Sequence, residues 1–371
     1  MLGVVRSIFL AVACWLASLP AVAGPALLYD AGTGQVLFAE APDHPWFPAS
    51  LAKMMTAYVV FDTWKAGKVE RTDKLTISVR ANSRPRMRLG LGAGKVITFD
   101  EAMAALILFS ANDIAVALAE AVAGSEPQFV VEMNATAARL GMASTRFINA
   151  NGLPGEGQYS TARDLATLTQ AILRDFPEHA GLFALKSAPV GGRTVSTHNP
   201  VLIRVPGGNG MKTGFTCSAG YNIVGSATRE GSTLVAIVLG EATPAKRETR
   251  TKALLEQGFR MLASKETLPS TTLDTIPVEP FEAEQVWAAN LTKRFKDCQP
   301  REPELDADGN PVCPPAKEIR PGRPVRSAKV IRQEADKPTK CAPAIMAKLK
   351  PSLQQQKKSA KRAAARVTAP D

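Results

Sequence analysis

Strand-like stretches stand at both ends of one long segment whose middle reads as helix, and this arrangement limits the fold more than any other feature of the chain. At the front, "PALLYDAGTGQVLFAEAPD" places two short apolar runs about the turn "AGTG", the pattern of a β-hairpin. Far behind it, "GGRTVSTHN", "GNGMKTGFT", "GYNIVGSAT" and "STLVAIVLGE" alternate or run apolar between turn residues, the last two joined by "REG", and read as antiparallel strands. An amphipathic helix, "PAKRETRTKALLEQGFRMLA", follows them. From about Thr72 to Asp175 the pattern is helical. Thr98 with Glu101 and Ser125 with Gln128 mark helix starts, and a third helix is predicted from Thr161 to Asp175, ahead of Pro177. The two ends must then build one sheet that carries the middle as an insertion. The predicted class is α/β (α+β), an antiparallel sheet flanked by helices with an all-helical subdomain at about 72–175. The cleft between two such parts is where small ligands commonly bind.

The flanks of this segment have their own chemistry. Residues 1–23 read as a secretory signal, with Arg6 as basic flank, Ile8 to Leu19 as the apolar stretch and Ala21-Val22-Ala23 as a small-x-small cleavage site. The expected location is therefore outside the inner membrane, in the periplasm or cell envelope. The net charge of +11 is unevenly spread: Lys317 to Asp371 holds roughly fifteen basic against four acidic residues. Residues 266–371 are rich in Pro, Lys, Arg, Gln and Ala without sustained apolar periodicity, and read as a largely disordered basic tail. Such a tail suits solubility or an anionic envelope surface. Nucleic acid is not expected as a partner of an exported chain. Pro351 breaks "MAKLKPSLQQQKKSAKRAAARV", which argues against a membrane-seeking helix there. Cys217, Cys298, Cys313 and Cys341 remain after the signal, and Cys298 with Cys313 is the favoured pairing because the intervening segment is short and turn-rich.

Three short stretches can carry chemistry. In "FPASLAKMMTAYVVF", Ser50 and Lys53 fall on one helix face, near a helix start whose dipole favours an oxyanion. The apolar surroundings disfavour the ammonium form of Lys53, and a neutral amine can accept the serine proton. The spacing alone is weak, since composition gives about one such pair in a chain of this size. In "FSANDIA", Ser110, Ala111 and Asn112 interrupt a long apolar run, as a cleft-facing hydroxyl and amide would, or as a helix corner would. In "GMKTGFT", Lys212 and Thr213 lie on a predicted strand, and Gly214 leaves room for another backbone along its edge. A cation, a hydroxyl and an open edge suit a peptide carboxylate.

Together, Ser50-Leu51-Ala52-Lys53, Ser110-Ala111-Asn112 and Lys212-Thr213-Gly214, in that order, resemble the three signatures of penicillin-binding proteins and serine β-lactamases. The flanks "FPASLAKMMTAYV", "FINANGLPGEGQYSTARDLA" and "GMKTGFTCSAGYNIVGSAT" narrow the resemblance to low-molecular-weight D-alanyl-D-alanine carboxypeptidases, over about Pro25 to Ala263. The resemblance implies a β-lactamase/transpeptidase-like fold and a D,D-peptidase domain at 24–265. It implies a serine-type hydrolase that removes the terminal D-alanine of peptidoglycan stem peptides without a cofactor, and that β-lactams inhibit covalently. It implies Ser50 as nucleophile, Lys53 as general base, Ser110 as proton relay to the leaving D-alanine and Asn112 as holder of the substrate amide. Lys212, Thr213 and Gly214 would bind the carboxylate strand, Phe215 would give its backbone N–H to the oxyanion hole, and Arg247 would help with the carboxylate. Phe215 stands where relatives often have histidine, and His198 precedes Asn199 where arginine is frequent.

Other readings are weaker. No G-x-S-x-G occurs, and His44, His179 and His198 show no link to a serine, which disfavours a Ser-His-Asp hydrolase. The histidines and cysteines fit no familiar metal site. A β-lactamase, a D,D-endopeptidase cutting cross-links and a non-catalytic wall-binding protein remain as rivals. Arg80, Arg84, Arg86 and Arg88 read as a solvated loop, or as a rim of the cleft.

Overall fold

The computed structural model describes residues 24–85, 87–264 and 268–278. The signal segment, the Cys298–Cys313 pairing and the basic stretch after Lys317 lie outside the described residues.

Strands β1 (Ala26–Asp30) and β2 (Val36–Glu40) form the expected hairpin. A short turn of helix, Ala49–Leu51, leads into α1 (Ala52–Lys65). Helix α1 is buried over nearly its whole circumference, from Ala52 to Phe61 and again at Trp64, so it is a central helix rather than a surface one. The insertion follows. It opens with β3 (Lys74–Thr76), α2 (Val79–Asn82) and β4 (Val96–Thr98), then continues through α3 (Phe99–Ala104), α4 (Asn112–Ala123), α5 (Glu126–Arg139) and α6 (Ala162–Asp175).

The insertion is therefore not all-helical. β3 and β4 pair antiparallel over three residues each, a length at which alternation leaves no readable period in the sequence. The predicted caps hold. Thr98 accepts from the Glu101 backbone N–H and the Glu101 carboxylate accepts from Thr98 N–H, while Ser125 accepts from Gln128 N–H and Thr161 from Asp164 N–H.

After α7 (Pro177–Ala180), strands β5 (Ser187–Val190) and β6 (Arg193–Ser196) make a hairpin of their own. "GGRTVSTHN" thus belongs to a separate two-stranded sheet, not to the main one. Helix α8 (Val201–Arg204) precedes β7 (Gly208–Thr216), β8 (Gly220–Arg229) and β9 (Ser232–Glu241), and α9 (Pro244–Ala263) closes the unit. The main sheet runs β2-β1-β9-β8-β7, so both ends of the segment build it and β7 is an edge.

Both faces of the sheet are covered, which explains why β9 reads as a continuous apolar run rather than an alternating one. Leu27, Tyr29, Val224, Val235, Ile237 and Leu239 face the large core around α1. Leu28, Ile223, Ala236 and Val238 face Leu254 and Leu255 of α9.

Chain beyond the expected boundary at 265 still packs on this unit. Val36 N–H donates to Thr271 O at 2.9 Å and Leu273 N–H to Gly34 O at 2.9 Å, and Leu273 and Ile276 sit against the main core. Arg163 holds Asp43 by two hydrogen bonds, at 2.5 and 2.8 Å, and donates as well to the carbonyls of Leu273, Ile276 and Pro277.

Candidate active site

Ser50 lies in the turn that enters α1, and its position is fixed from two sides. Ala49, just before it, takes a left-handed φ of 49°, which costs a non-glycine residue energy and marks an over-determined backbone. Asn222 of β8 donates from Nδ2 to Phe47 O at 2.9 Å and Pro48 O at 3.2 Å, and its Oδ1 accepts from Gly240 N–H at 2.9 Å. One buried amide therefore ties the approach to Ser50 to two strands.

Lys53 lies one turn further along the same face, with only 1% of its surface exposed. Its Nζ donates to Ser50 Oγ at 3.0 Å, to Asn112 Oδ1 at 2.7 Å and to Asn151 O at 2.6 Å. Burial holds its pKa well below the ordinary lysine value and the charge of Lys212 pushes in the same direction, against an opposing pull from Asp113. A buried amine of this kind can take a proton from the hydroxyl beside it.

The second stretch is shaped by a break in helical geometry. A π-helical turn over Ala105–Phe109 ends at Ser110, whose φ of 62° is left-handed, and α4 starts two residues later. Ser110 Oγ is buried with no hydrogen-bond partner among the described residues. Asn112 reaches Lys53 through Oδ1 and donates from Nδ2 to Pro85 O at 3.2 Å, while its N–H donates to Met87 O at 2.7 Å. Asp113, fully buried, accepts from Leu89 N–H and Gly90 N–H, both at 2.9 Å. Pro85, Met87, Leu89 and Gly90 are thus clamped onto the start of α4.

The third stretch is strand β7. Gly214 packs so closely that a Cβ there would stand 3.1 Å from both Pro48 O and Ser50 N. The edge strand thereby runs beside the Ser50 backbone N–H. Lys212, 2% exposed, donates to Thr213 O at 3.0 Å. Burial, then the nearby Arg247 charge, lowers its pKa to about 7. Arg247, on α9, is itself buried. Its Nε has no hydrogen-bond partner among the described residues, and its guanidinium carbon lies 5.9 Å from the Tyr221 ring centroid. Cys217, in the turn after β7, is disulfide-bonded.

The cleft therefore brings together several of the residues singled out from the sequence: Lys53 contacts both Ser50 and Asn112, Gly214 lies against Ser50, and Lys212 is within electrostatic reach of Lys53 and Arg247. The arginine-rich segment is divided in use, Arg80 pairing with Glu126 at 2.9 Å while Arg88 donates to Asn82 O. Sequence reasoning missed Asn151, Asn222 and Gly152. "NANG" and "YN" are commonplace loop and strand residues until the fold brings them to Ser50.

A family model described as D-alanyl-D-alanine carboxypeptidase, Peptidase S11, matches residues 17–243. D-alanyl-D-alanine carboxypeptidase DacA of Haemophilus influenzae is 37% identical over 250 residues, 65% of this chain and 63% of that protein. DacC of Escherichia coli is 35% identical over 271 residues, 70% of this chain and 65% of that protein. The chain thus spans slightly less than two thirds of the length of these relatives. Among solved structures, penicillin-binding protein 5 of Haemophilus influenzae matches with a TM-score of 0.62 and 37% identity, over 64% of this chain and 71% of that one. Penicillin-binding protein D2 of Listeria monocytogenes, solved with ampicillin bound, matches with a TM-score of 0.57 and 30% identity, over 64% of this chain and 97% of that one.

Proposed function

Since the chain belongs to the D-alanyl-D-alanine carboxypeptidase family, we propose that it is a serine-type D,D-peptidase that removes the terminal D-alanine of peptidoglycan stem peptides through an ester on Ser50. The observation that carries this reading is the buried Lys53 amine, 3.0 Å from Ser50 Oγ and depressed in pKa by burial and by Lys212.

Neutral Lys53 takes the Ser50 proton as Oγ attacks the carbonyl carbon of the penultimate D-alanine. The oxyanion meets the backbone N–H groups of Ser50 and Phe215, which the close approach of Gly214 to Ser50 N supports. Asn112, already held by Lys53 and Pro85 O, presents its amide to the substrate backbone. The intermediate collapses and the C–N bond breaks. The proton passes from Lys53 through Ser110 to the departing amine, a role for which the Ser110 hydroxyl, buried and without a hydrogen-bond partner among the described residues, is suited. Lys212, Thr213 and Arg247 hold the terminal carboxylate. Water then attacks the ester carbon as Lys53 takes its proton, the acyl C–O bond breaks, Lys53 returns the proton to Ser50 Oγ, and the shortened stem leaves.

The catalytic unit is residues 24–265 together with the segment 268–278 that packs on it, exported by the segment 1–23 to the periplasm, with β-lactams as covalent inhibitors. Residues 317–371 provide a basic contact to anionic envelope surfaces, a role that unchanged pelleting with anionic vesicles after truncation at Ala316 would remove.

Fluorescent penicillin tests the core of this reading. The protein must be labelled covalently and Ser50→Ala must abolish the label. D-alanine release from a pentapeptide, set against cleavage of a cross-linked dimer, separates carboxypeptidase from endopeptidase, and labelling that persists in Ser50→Ala overturns the nucleophile.

A further inference from the structure

A threonine inside a helix ordinarily turns its hydroxyl back onto the carbonyl one turn earlier. Thr63, Thr167, Thr169 and Thr251 do so, donating to the carbonyls of Val59, Arg163, Leu165 and Arg247. Thr56, fully buried on α1, spends its single O–H elsewhere: Oγ1 donates at 2.6 Å to Ala150 O, 94 residues further along the chain. Lys53 stands one turn before Thr56 on the same helix face, and it donates to the next carbonyl, Asn151 O, at 2.6 Å. Gly152 then packs on Ala49. Residues 150–152 therefore run along the turn and helix that carry Ser50, held at each position.

The hydrogens on Lys53 Nζ give this arrangement its meaning. A neutral amine has two N–H groups and one lone pair. Its neighbours are Ser50 Oγ, Asn112 Oδ1 and Asn151 O, at 3.0, 2.7 and 2.6 Å. Asn151 O can only accept. Asn112 must accept there too, since its Nδ2 donates to Pro85 O at 3.2 Å and so turns Oδ1 toward Lys53. These two acceptors take both N–H groups of the neutral amine. The lone pair is left for Ser50, whose hydroxyl can donate to it.

We infer that Thr56 is a positioning residue for the reaction: by holding the Ala150–Asn151 peptide against α1, it keeps Asn151 O on Lys53 and thereby keeps the Lys53 lone pair on Ser50. The inference rests on the proposed acyl-enzyme reading. In the step it serves, the Ser50 O–H bond breaks, its proton forms a third N–H on Lys53, and an Oγ electron pair forms the bond to the acyl carbon. Without the Thr56 hydroxyl, buried Ala150 O loses its donor and the peptide turns to find another. An N–H of Lys53 released from Asn151 O then points at Ser50 Oγ, where the lone pair is needed.

The test compares the full chain with Thr56→Val, which keeps the shape and removes the hydroxyl, and Thr56→Ser, which keeps the hydroxyl and removes a methyl group. Penicillin acylation is followed against pH, the stoichiometry of labelling counts folded sites, and thermal unfolding is measured alongside. Thr56→Val should be acylated about tenfold or more slowly per folded site. Its acid limb should also move to lower pH, because a carbonyl acceptor favours the ammonium form and its loss lowers the Lys53 pKa further. Lys212 and Asp113, the charged groups that act on Lys53, are unchanged in both variants, so the limb reports the acceptor. Thr56→Ser should stay within about threefold of the parent, with its limb in place. A Thr56→Val protein that unfolds at lower temperature yet keeps the parental rate and limb overturns the inference, because the hydroxyl would then serve stability alone. So does Thr56→Ser slowed about tenfold, a result that does not depend on the valine variant folding. A parent protein that neither takes up penicillin nor releases D-alanine overturns the functional reading, and this inference with it.

Discussion

Gly152 lies directly beneath Ala49: a Cβ at position 152 would stand 1.8 Å from the Ala49 carbonyl oxygen, and Gly152 itself has a φ of +80°. No L side chain fits there without moving the turn that carries Ser50. Gly152→Ala is therefore expected to slow penicillin acylation by tenfold or more, the scale on which small misplacements of a reacting group act, and to lower stability by about 1–3 kcal/mol. Acylation kinetics and thermal unfolding measure the two effects. A folded variant with parental acylation would show that the Ala49 turn does not set the Ser50 geometry.

The two lysines predict a bell-shaped dependence of kcat/KM on pH. In the proposed mechanism Lys53 acts as the neutral amine, so the rate is expected to rise with pH through its lowered pKa. In the same mechanism Lys212 acts as the cation, so the rate is expected to fall as pH passes about 7, the value to which burial and Arg247 bring it. Removing the Arg247 charge removes one cause of that depression. The alkaline limb of Arg247→Gln should consequently move to higher pH, even as its KM rises, and a limb that stays put would detach Lys212 from it. Stability responds to the same shift. Between about 7 and the ordinary 10.5 the unfolded chain binds the proton that folded Lys212 releases, so stability rises with pH across that window. Lys212→Met should flatten the slope in urea titrations.

Asn222 makes three hydrogen bonds that join Phe47 and Pro48 to Gly240. Asn222→Ala strands buried backbone groups, at a cost of about 1–3 kcal/mol for each one left unsatisfied. It also loosens the segment before Ser50, so acylation should slow while penicillin selectivity among related β-lactams stays constant. Denaturant midpoints and acylation rates together check this, and an unchanged midpoint would mean that water replaces the amide.

How far these features could be read in advance depends on the range over which they are determined. Strands β7 to β9 and helix α9 carry their own signals: Thr243 caps, Pro244 opens the helix, and apolar runs end at Gly and Asn. Ser50 with Lys53 is likewise local, a matter of helix spacing. The ladder of contacts behind them is not. Asn151 and Gly152 reach Ser50 and Lys53 across about one hundred residues of chain, and a glycine in "NANG" has many uses until Ala49 is placed against it. Strands β3 and β4 are too short to print a period, whereas β6 was legible as a strand in "GGRTVSTHN" and only the sheet it joins was not. Phe215 was legible as a backbone donor and as a departure from the relatives' histidine, while the stacking of its ring on Tyr221 depends on the register of β7 against β8.

Arg163 makes the last prediction, one about stability rather than chemistry. Its guanidinium meets both carboxylate oxygens of Asp43, with exposures of only 12% and 4% for the two side chains, and it also gathers the carbonyls of Leu273, Ile276 and Pro277. A bidentate, largely dry pair gains from its geometry what it loses in hydration, and removing one partner leaves the other charge buried. Arg163→Met should therefore cost about 3–5 kcal/mol, and Asp43→Asn with Arg163→Met considerably less than the sum of the single changes, since the double variant buries no lone charge. The carbonyls of 273, 276 and 277 lose their donor in either case, so amide exchange at Leu273 and Ile276, whose N–H groups bond to Gly34 O and Thr272 O, should quicken in Arg163→Met while exchange in β9 scales only with global stability. Equal protection of Leu273 in parent and variant would mean that the β1–β2 hairpin alone, through Val36 and Gly34, holds this segment.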